Sequence, residues 1–358
     1  MSRVAIIGAG IGGLATAVGL QRHGWDVSVF ERSAPDSQVG AGLSLFANGF
    51  RALDAIGLGD AVRAIAGPEQ VLTAGSRRRD GRWLATTPSG AVRELRVVHR
   101  ADLHRVLTDA LEPGTIAYGK NVVGPLTGYD VVVAADGLRS PTRGTGIRYS
   151  GYTSWRGVTE RPVDLLGGAG ESLGRGERFG LAPLPDGRVY WFGVVSMPAG
   201  TAFPDEFAEV LRRFEGWHAP IAEVLDATGP AAVVRTDIYD LAKPLPSYVR
   251  GTTVLLGDAA HAMTPDLGQG ANQALEDAAT LTRLLSVSPV REALDSYDKN
   301  RRPRTQALAR RARLMGRLLQ SRSPLRDTLL RLTPASVVAR QLAAVQDWSQ
   351  PGALSGRS

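Results

Sequence analysis

Three glycine-bearing stretches have the residue types and spacing to hold an electron-rich ligand. The first is "GAGIGG", in which Gly8, Gly10 and Gly13 fit G-x-G-x-x-G between the apolar run "VAIIG" and a helical stretch reaching about His23. Gly8 permits a tight turn, Gly10 lets a pyrophosphate approach the backbone, and Gly13 lets helix and strand pack closely. The helix then offers free N–H groups and the positive end of its dipole. Glu31 closes the next apolar run, "DVSVF" (26–30), with Arg32 beside it. A carboxylate there can accept hydrogen bonds from both hydroxyls of an adenosine ribose and repels a 2′-phosphate. The pattern predicts a tightly bound FAD or NAD rather than NADP.

The second stretch, "AADGLRSPTR" (134–143), places Asp136 and a flexible Gly137 at another strand end. The third, "GDAAHAMTPDLGQGANQALEDA" (257–278), puts Asp258 after a buried run, where open α/β sheets make ligand contacts. Pro265 stiffens its loop. Gly268 and Gly270 bare their amides, and a helix begins near Gly270. That helix aims its positive end at whatever lies in front of it. A reduced flavin, anionic at N1 and O2, is the species it would stabilise.

These sites need a scaffold. Short apolar runs at 4–8, 26–30, 130–135 and 252–257 read as buried parallel strands, separated by two stretches that alternate like antiparallel strands. Helices are predicted at 100–111 and near 204–215, and then almost to the C-terminus. The expected fold is α/β: a Rossmann-like FAD-binding domain with a mostly antiparallel substrate sheet inserted into it and C-terminal helices. The expected division is 1–67, 92–145 and 245–300 for the FAD-binding domain. The sheet domain takes 68–91 and 146–244, and 301–358 form a basic helical segment.

Composition narrows the chemistry. The chain has no cysteine and five scattered histidines, so thiolate catalysis, disulfides and Cys-type metal sites are excluded and no metal is expected. Redox work then falls to an organic cofactor. Residues 301–331 carry ten Arg and one Asp, so the net charge of +7 comes from this segment. Leu308, Leu314, Leu318 and Leu319 at helical spacing predict a helix packed on the body with its arginines in water. No apolar run approaches the roughly 18 residues of a membrane span. A cleaved leader would destroy the first motif, so a cytoplasmic protein is expected.

The three motifs, in this order and spacing, resemble those of the FAD-dependent aromatic hydroxylases, the single-component flavoprotein monooxygenases. The likeness runs from residue 1 to about 315. "GAGLSLFANGFRAL" (40–53), "GYTSWRGV" (151–158) and "ERFGLAPLPDGRVYWFGV" are similar to the salicylate and urate hydroxylase branch. The resemblance implies that Gly8, Gly10 and Gly13 hold the FAD pyrophosphate and Glu31 the ribose. Arg100 would reach the flavin, and Asp136 would touch both FAD and the incoming nicotinamide. Asp258 would bond the ribityl chain. Leu267, Gly268, Gln269, Gly270 and Ala271 would cradle the pyrimidine end, with Pro265 bordering the oxygen-reacting face. Arg178 and Tyr190 match an Arg and a Tyr that face substrate in urate hydroxylase, an ordinary cross-strand pair being the alternative.

The implied reaction uses NADH or NADPH and O2, and hydroxylates an aromatic or heteroaromatic ring through a flavin C4a-hydroperoxide. Epoxidation or another oxygen insertion, a reductase, and a non-catalytic flavin-binding module are the rival readings. No nucleic acid, no stable membrane insertion, and a monomer or homodimer are expected. His261 reads as a packing and hydrogen-bonding residue rather than a base. Trp155 and Trp191 read as buried in the inserted sheet, or else as pocket lining. The chain departs from the family between 111 and 130, where it is shorter than usual.

Overall fold

The computed structural model describes residues 1–35, 42–66 and 73–352. Six strands form one sheet in the order Val249–Arg250, Thr253–Leu255, Val131–Ala134, Arg3–Ile7, Asp26–Phe30, Ile116–Ala117. All neighbours are parallel except the hairpin 249–255. The central strands are Val- and Ile-rich because both of their faces are buried. The runs expected at 4–8, 26–30, 130–135 and 252–257 all appear here, the first shifted back by one residue, the second as expected, and the last two shortened. Parallel pairing brings Ile7, Ala134 and Leu255 to one edge, so the loops after them open on the same side.

Two helices converge on that edge. Ile11–Arg22 and Gly270–Val287 run side by side in the same direction. A Cβ on Gly12 would lie 3.1 Å from the Ala274 methyl, and one on Gly19 would lie 2.5 Å from Thr282 Oγ1. Small residues thus let the helices touch along their length, and both N-termini face the same space.

The second sheet has seven strands in the order Val234–Leu241, Ile147–Val158, Val189–Ser196, Glu177–Pro183, Gly170–Leu173, Gly75–Arg78, Trp83–Thr86. It is antiparallel except where 170–173 meets 75–78. One face packs Trp155, Phe179 and Trp191 against Val210, Phe214 and Ile221 of two covering helices, Glu206–Phe214 and Ile221–Asp226. The indoles are satisfied there: Trp155 Nε1 donates to Glu206 Oε2 at 2.7 Å and Trp191 Nε1 to Thr228 Oγ1 at 2.9 Å. Trp155 and Trp191 are core residues, not pocket lining. Gly42–Leu45 and Arg96–His99 form a separate small antiparallel ribbon, which sequence reading did not foresee. Residues 40 and 41 of the quoted 40–53 stretch, and the expected boundary at 67/68, fall outside the described residues.

After the sheet the chain is helical, with Val290–Leu319 the longest helix. Leu308 and Leu319 are buried, whereas Leu314 is exposed. The expectation that the arginines of 301–331 lie in water fails for two of them. Arg301 is wholly buried and Arg326 nearly so, each held by acceptors that alternation in sequence does not reveal. Among the described residues no helix is long and apolar enough to cross a membrane.

Candidate functional site

A cavity of about 410 Å³ lies at the carboxyl edge of the parallel strands, roofed by the free face of the seven-stranded sheet. Its dinucleotide end is built from glycines. Gly8 has φ +104°, and a Cβ there would lie 2.4 Å from the Ala135 carbonyl oxygen. A Cβ on Gly13 would lie 2.1 Å from the Gly8 oxygen, but one on Gly10 would meet nothing within 4 Å. Gly8 and Gly13 are therefore glycines for the fold, and Gly10 is glycine for something outside the chain. No side chain caps the helix at Gly10 or the one at Gln269, so both sets of leading amides remain available.

Glu31 accepts the Ala9 N–H on one carboxylate oxygen and the Ser33 N–H on the other, each at 2.8 Å. Burial acts to raise its pKa, but those amides outweigh it and hold the group below the ordinary carboxylate value. It is an anion with lone pairs to spare beside the glycine loop. Arg32 is exposed and takes no part in the cavity wall. Arg100 begins the helix Arg100–Asp109 and lines the cavity. His104, one turn on, bonds the Ala9 carbonyl at 2.9 Å and fixes that helix to the glycine loop.

Asp136 does not face the cavity; its neighbours Ala135 and Gly137 do. One Asp136 oxygen accepts the Thr142 hydroxyl at 2.8 Å. The other is buried without a partner among the described residues, as is the amide nitrogen of Gln269. Buried polar atoms left this way point to a missing polar neighbour. Asp258, Gly268, Gln269, Gly270 and Ala271 all line the cavity, whereas Leu267 does not. The Asp258 carboxylate has no hydrogen bond or ion pair to a described residue. Arg143, which the sequence reading passed over, is buried. It donates to the carbonyls of Leu138, Asp258 and Ala259, tying the second and third loops together.

The opposite wall is the sheet. Arg178 and Tyr190 line the cavity, as does Pro265. They are not a cross-strand pair: Arg178 faces Val194 in register, and Tyr190 faces Ala182. Arg178 is buried and forms ion pairs with Asp266 and, at 3.0 Å, with Glu171. The Tyr152 hydroxyl donates to the second Asp266 oxygen at 2.6 Å. Asp266 sits between Pro265 and Leu267, so the loop in front of the second helix is pinned to the sheet. The helix Val290–Leu319 presses close behind it, where a Cβ on Gly316 would lie 2.4 Å from Asp266 Oδ2.

Arg178→Ala leaves the buried Asp266 carboxylate, with the partly exposed Glu171 carboxylate near it, without their shared cation. The expected result is displacement of the 265–268 loop, read as loss of both substrate-stimulated turnover and cofactor affinity. A variant that keeps cofactor affinity would show that the tether does not position the loop.

Behind the second helix lies a buried charge network. Arg301 bonds Asp277 at 2.7 Å, Glu276 at 2.5 Å and the Gln273 side chain at 2.8 Å. Asp277 also accepts from the Gly257 amide at 3.0 Å and contacts His261 Nε2 at 2.5 Å. His261 is thus a buried structural partner and does not reach the cavity. Sequence reading missed Arg143, Tyr152, Arg156, Glu171, Asp266, Glu276, Asp277 and Arg301. Of these, Asp266, Glu276 and Asp277 lay inside the quoted third motif.

Comparison with known proteins agrees with this geometry. The family model described as an FAD binding domain matches residues 1–122 and 187–312. An aurachin C monooxygenase/isomerase of Stigmatella aurantiaca is 38% identical over 79% of this chain and 80% of its own length. An FAD-dependent urate hydroxylase of Klebsiella pneumoniae is 31% identical over 87% of this chain and 88% of its own. The crystal structure of Klebsiella pneumoniae HpxO complexed with FAD and uric acid superposes with TM-score 0.86 at 27% identity, covering 96% of both chains. The glycine cradle, the paired helix ends and these relatives lead to one conclusion: the chain belongs to the FAD-dependent aromatic hydroxylases, the single-component flavoprotein monooxygenases.

Proposed function

We infer that this FAD-dependent monooxygenase hydroxylates an electron-rich aromatic or heteroaromatic ring held between the flavin and the seven-stranded sheet, with NADH or NADPH and O2 as co-substrates. The observation that carries the reading is the asymmetry of this cavity. One end offers bare amides and an open glycine, and the other offers Arg156, Arg178, Tyr190 and Phe192. FAD, when bound, supplies hydride acceptance and oxygen activation.

The chain's own residues do the rest. The amides after Gly10 take the pyrophosphate, and Glu31 takes the ribose with Arg32 outside it. Arg100 and Asp258 hold the ring side and the ribityl chain. The Gly268–Ala271 backbone, with the helix dipole behind it, favours negative charge at the pyrimidine end. Pro265 and Met263 keep water from the reacting face. In this reading 1–67, 92–145 and 245–300 form the FAD-binding part, and 68–91 with 146–244 form the substrate part. The 301–358 segment is a buttress, and the protein works in the cytoplasm as a monomer or homodimer.

The test is direct. The purified protein is expected to be yellow and to oxidise NAD(P)H faster with a matching phenol, purine or quinoline. The product should be heavier by one oxygen atom. Flavin binding without stimulated oxidation by any ring compound would leave a binding module instead. Asp258→Ala is expected to fold normally and to weaken FAD binding by about 10-fold, the scale of one or two hydrogen bonds to a charged group. Wild-type affinity in that variant would remove Asp258 from the site.

A further inference from the structure

We propose that Arg156 sets substrate choice by receiving a carboxylate on the ring, with the Tyr190 phenol beside it as a neutral hydrogen-bond partner. The proposal rests on the monooxygenase reading and specifies what that site takes.

Register places Arg156 on the cavity face. It pairs with Phe192, Tyr190 pairs with Val158, and Val194 pairs with Ser154. Paired residues project to the same side of a sheet, and Ser154, Arg156, Tyr190, Phe192 and Val194 all line the cavity.

The three arginines of the cavity differ in their partners. The charge of Arg178 is already matched by Asp266 and Glu171. Arg100 stands at the head of the helix that His104 fixes to the glycine loop, at the cofactor end. Arg156 is half-buried and makes no hydrogen bond or ion pair with any described residue. Among the described residues the only carboxylates on the cavity wall are Glu171, engaged by Arg178, and Asp258, at the cofactor end. A guanidinium sunk in a cavity with no counter-charge loses hydration and gains nothing from the protein. Its planar fork matches a carboxylate.

The surroundings suit a flat ring. A Cβ on Gly180 would lie 2.0 Å from the Phe192 ring, and one on Gly42 would lie 2.4 Å from the Tyr190 ring. Both aromatic side chains therefore lie against bare backbone. Their centroids are 6.1 Å apart at 44°, and together they bound a slot beside Arg156. Burial pushes the Tyr190 phenol up, with Arg156 acting weakly against it. Tyr190 therefore presents an O–H donor rather than a competing anion.

The experiment uses the FAD-loaded enzyme and three matched probe pairs: benzoate and benzamide, salicylate and salicylamide, quinaldate and quinaldamide. Binding is read as perturbation of the flavin absorption spectrum, and coupling as stimulated NAD(P)H oxidation. The wild type is expected to prefer the acid of a pair by about 10- to 100-fold, the scale of a charge-assisted bidentate contact. Arg156→Gln is expected to erase that preference while the amide binds as before, and Arg156→Lys to restore part of it. Equal binding of acid and amide by the wild type overturns the assignment and leaves the monooxygenase reading standing. So does an unchanged preference in Arg156→Gln. If no probe of either charge perturbs the flavin or stimulates oxidation, the assignment falls, and the monooxygenase reading is decided by the wider set of phenols, purines and quinolines.

Discussion

Gly10→Asp is expected to yield a folded, colourless protein. The backbone at Gly10 is extended, with φ −75° and ψ 175°, a conformation open to any residue. A Cβ there meets nothing within 4 Å, so the fold does not register the change. The new carboxylate, however, stands where the leading amides of the helix Ile11–Arg22 would take a pyrophosphate. Like charges set against each other in a recognition site cost several kcal/mol, so FAD affinity falls by about 100-fold or more. Equilibrium dialysis against FAD measures this, with circular dichroism and thermal melting of the apoprotein as the check on folding. The neighbouring Gly13→Asp behaves differently, because its Cβ would lie 2.1 Å from the Gly8 oxygen. That variant is expected to lose the fold as well as the flavin. A yellow Gly10→Asp protein of native affinity would mean that the dinucleotide does not cross this loop.

The second large effect lies away from any ligand. Arg301→Leu removes the cation that serves Glu276, Asp277 and Gln273 at once. Arg304 still holds Glu276 at 2.7 Å, and His261 still faces Asp277. The Asp277 oxygen that met Arg301 is left buried and unpaired. Breaking a buried pair on one side costs about 3–5 kcal/mol. Urea unfolding of the apoprotein should show a loss of that size; under about 1 kcal/mol would mean the network contributes little.

The same network gives an acid limit. Burial acts to raise the pKa of Glu276, yet Arg301 and Arg304 bring it below the ordinary value. For Asp277 burial is likewise overcome, by His261 and Arg301. Depressed carboxylates contribute stability that is fully present above their unfolded pKa values and drains as pH falls through the folded ones. The loss therefore falls below about pH 4, and Arg301→Leu should flatten that part of the profile.

The glycine-lined end of the cavity was legible in the sequence and the sheet wall opposite it was not, for a physical reason. A phosphate cradle is local: glycines, a strand end and a helix start lie within a dozen residues, so Gly8, Gly10, Gly13, Glu31, Asp258 and Gly270 can be read in line. The parallel strands were legible because doubly buried strands are continuous apolar runs. The substrate wall depends on register between strands far apart in the chain. Only pairing shows that Arg156 and Tyr190 share a face, that Arg178 is spent on Asp266 and Glu171, and that Trp155 and Trp191 face the other way. Asp136 shows the same limit within a motif: its position was readable, but the turn of its carboxylate toward Thr142 was not. The basic tail misled because an arginine count cannot distinguish a solvated guanidinium from one such as Arg301, enclosed by acids on a neighbouring helix.

Asp266 answers to the sheet through Arg178 and Tyr152, and to the long helix through the space that Gly316 leaves for it. Three distant stretches of chain must agree before the loop ahead of the helix Gly270–Val287 can take its place. Arg156, which makes no hydrogen bond or ion pair with a described residue, carries no such obligation. Descendants of this scaffold are therefore free to retune which molecules they accept by exchanging that one residue of the sheet wall. A change at the three-way junction must be matched elsewhere in the chain before the enzyme works again.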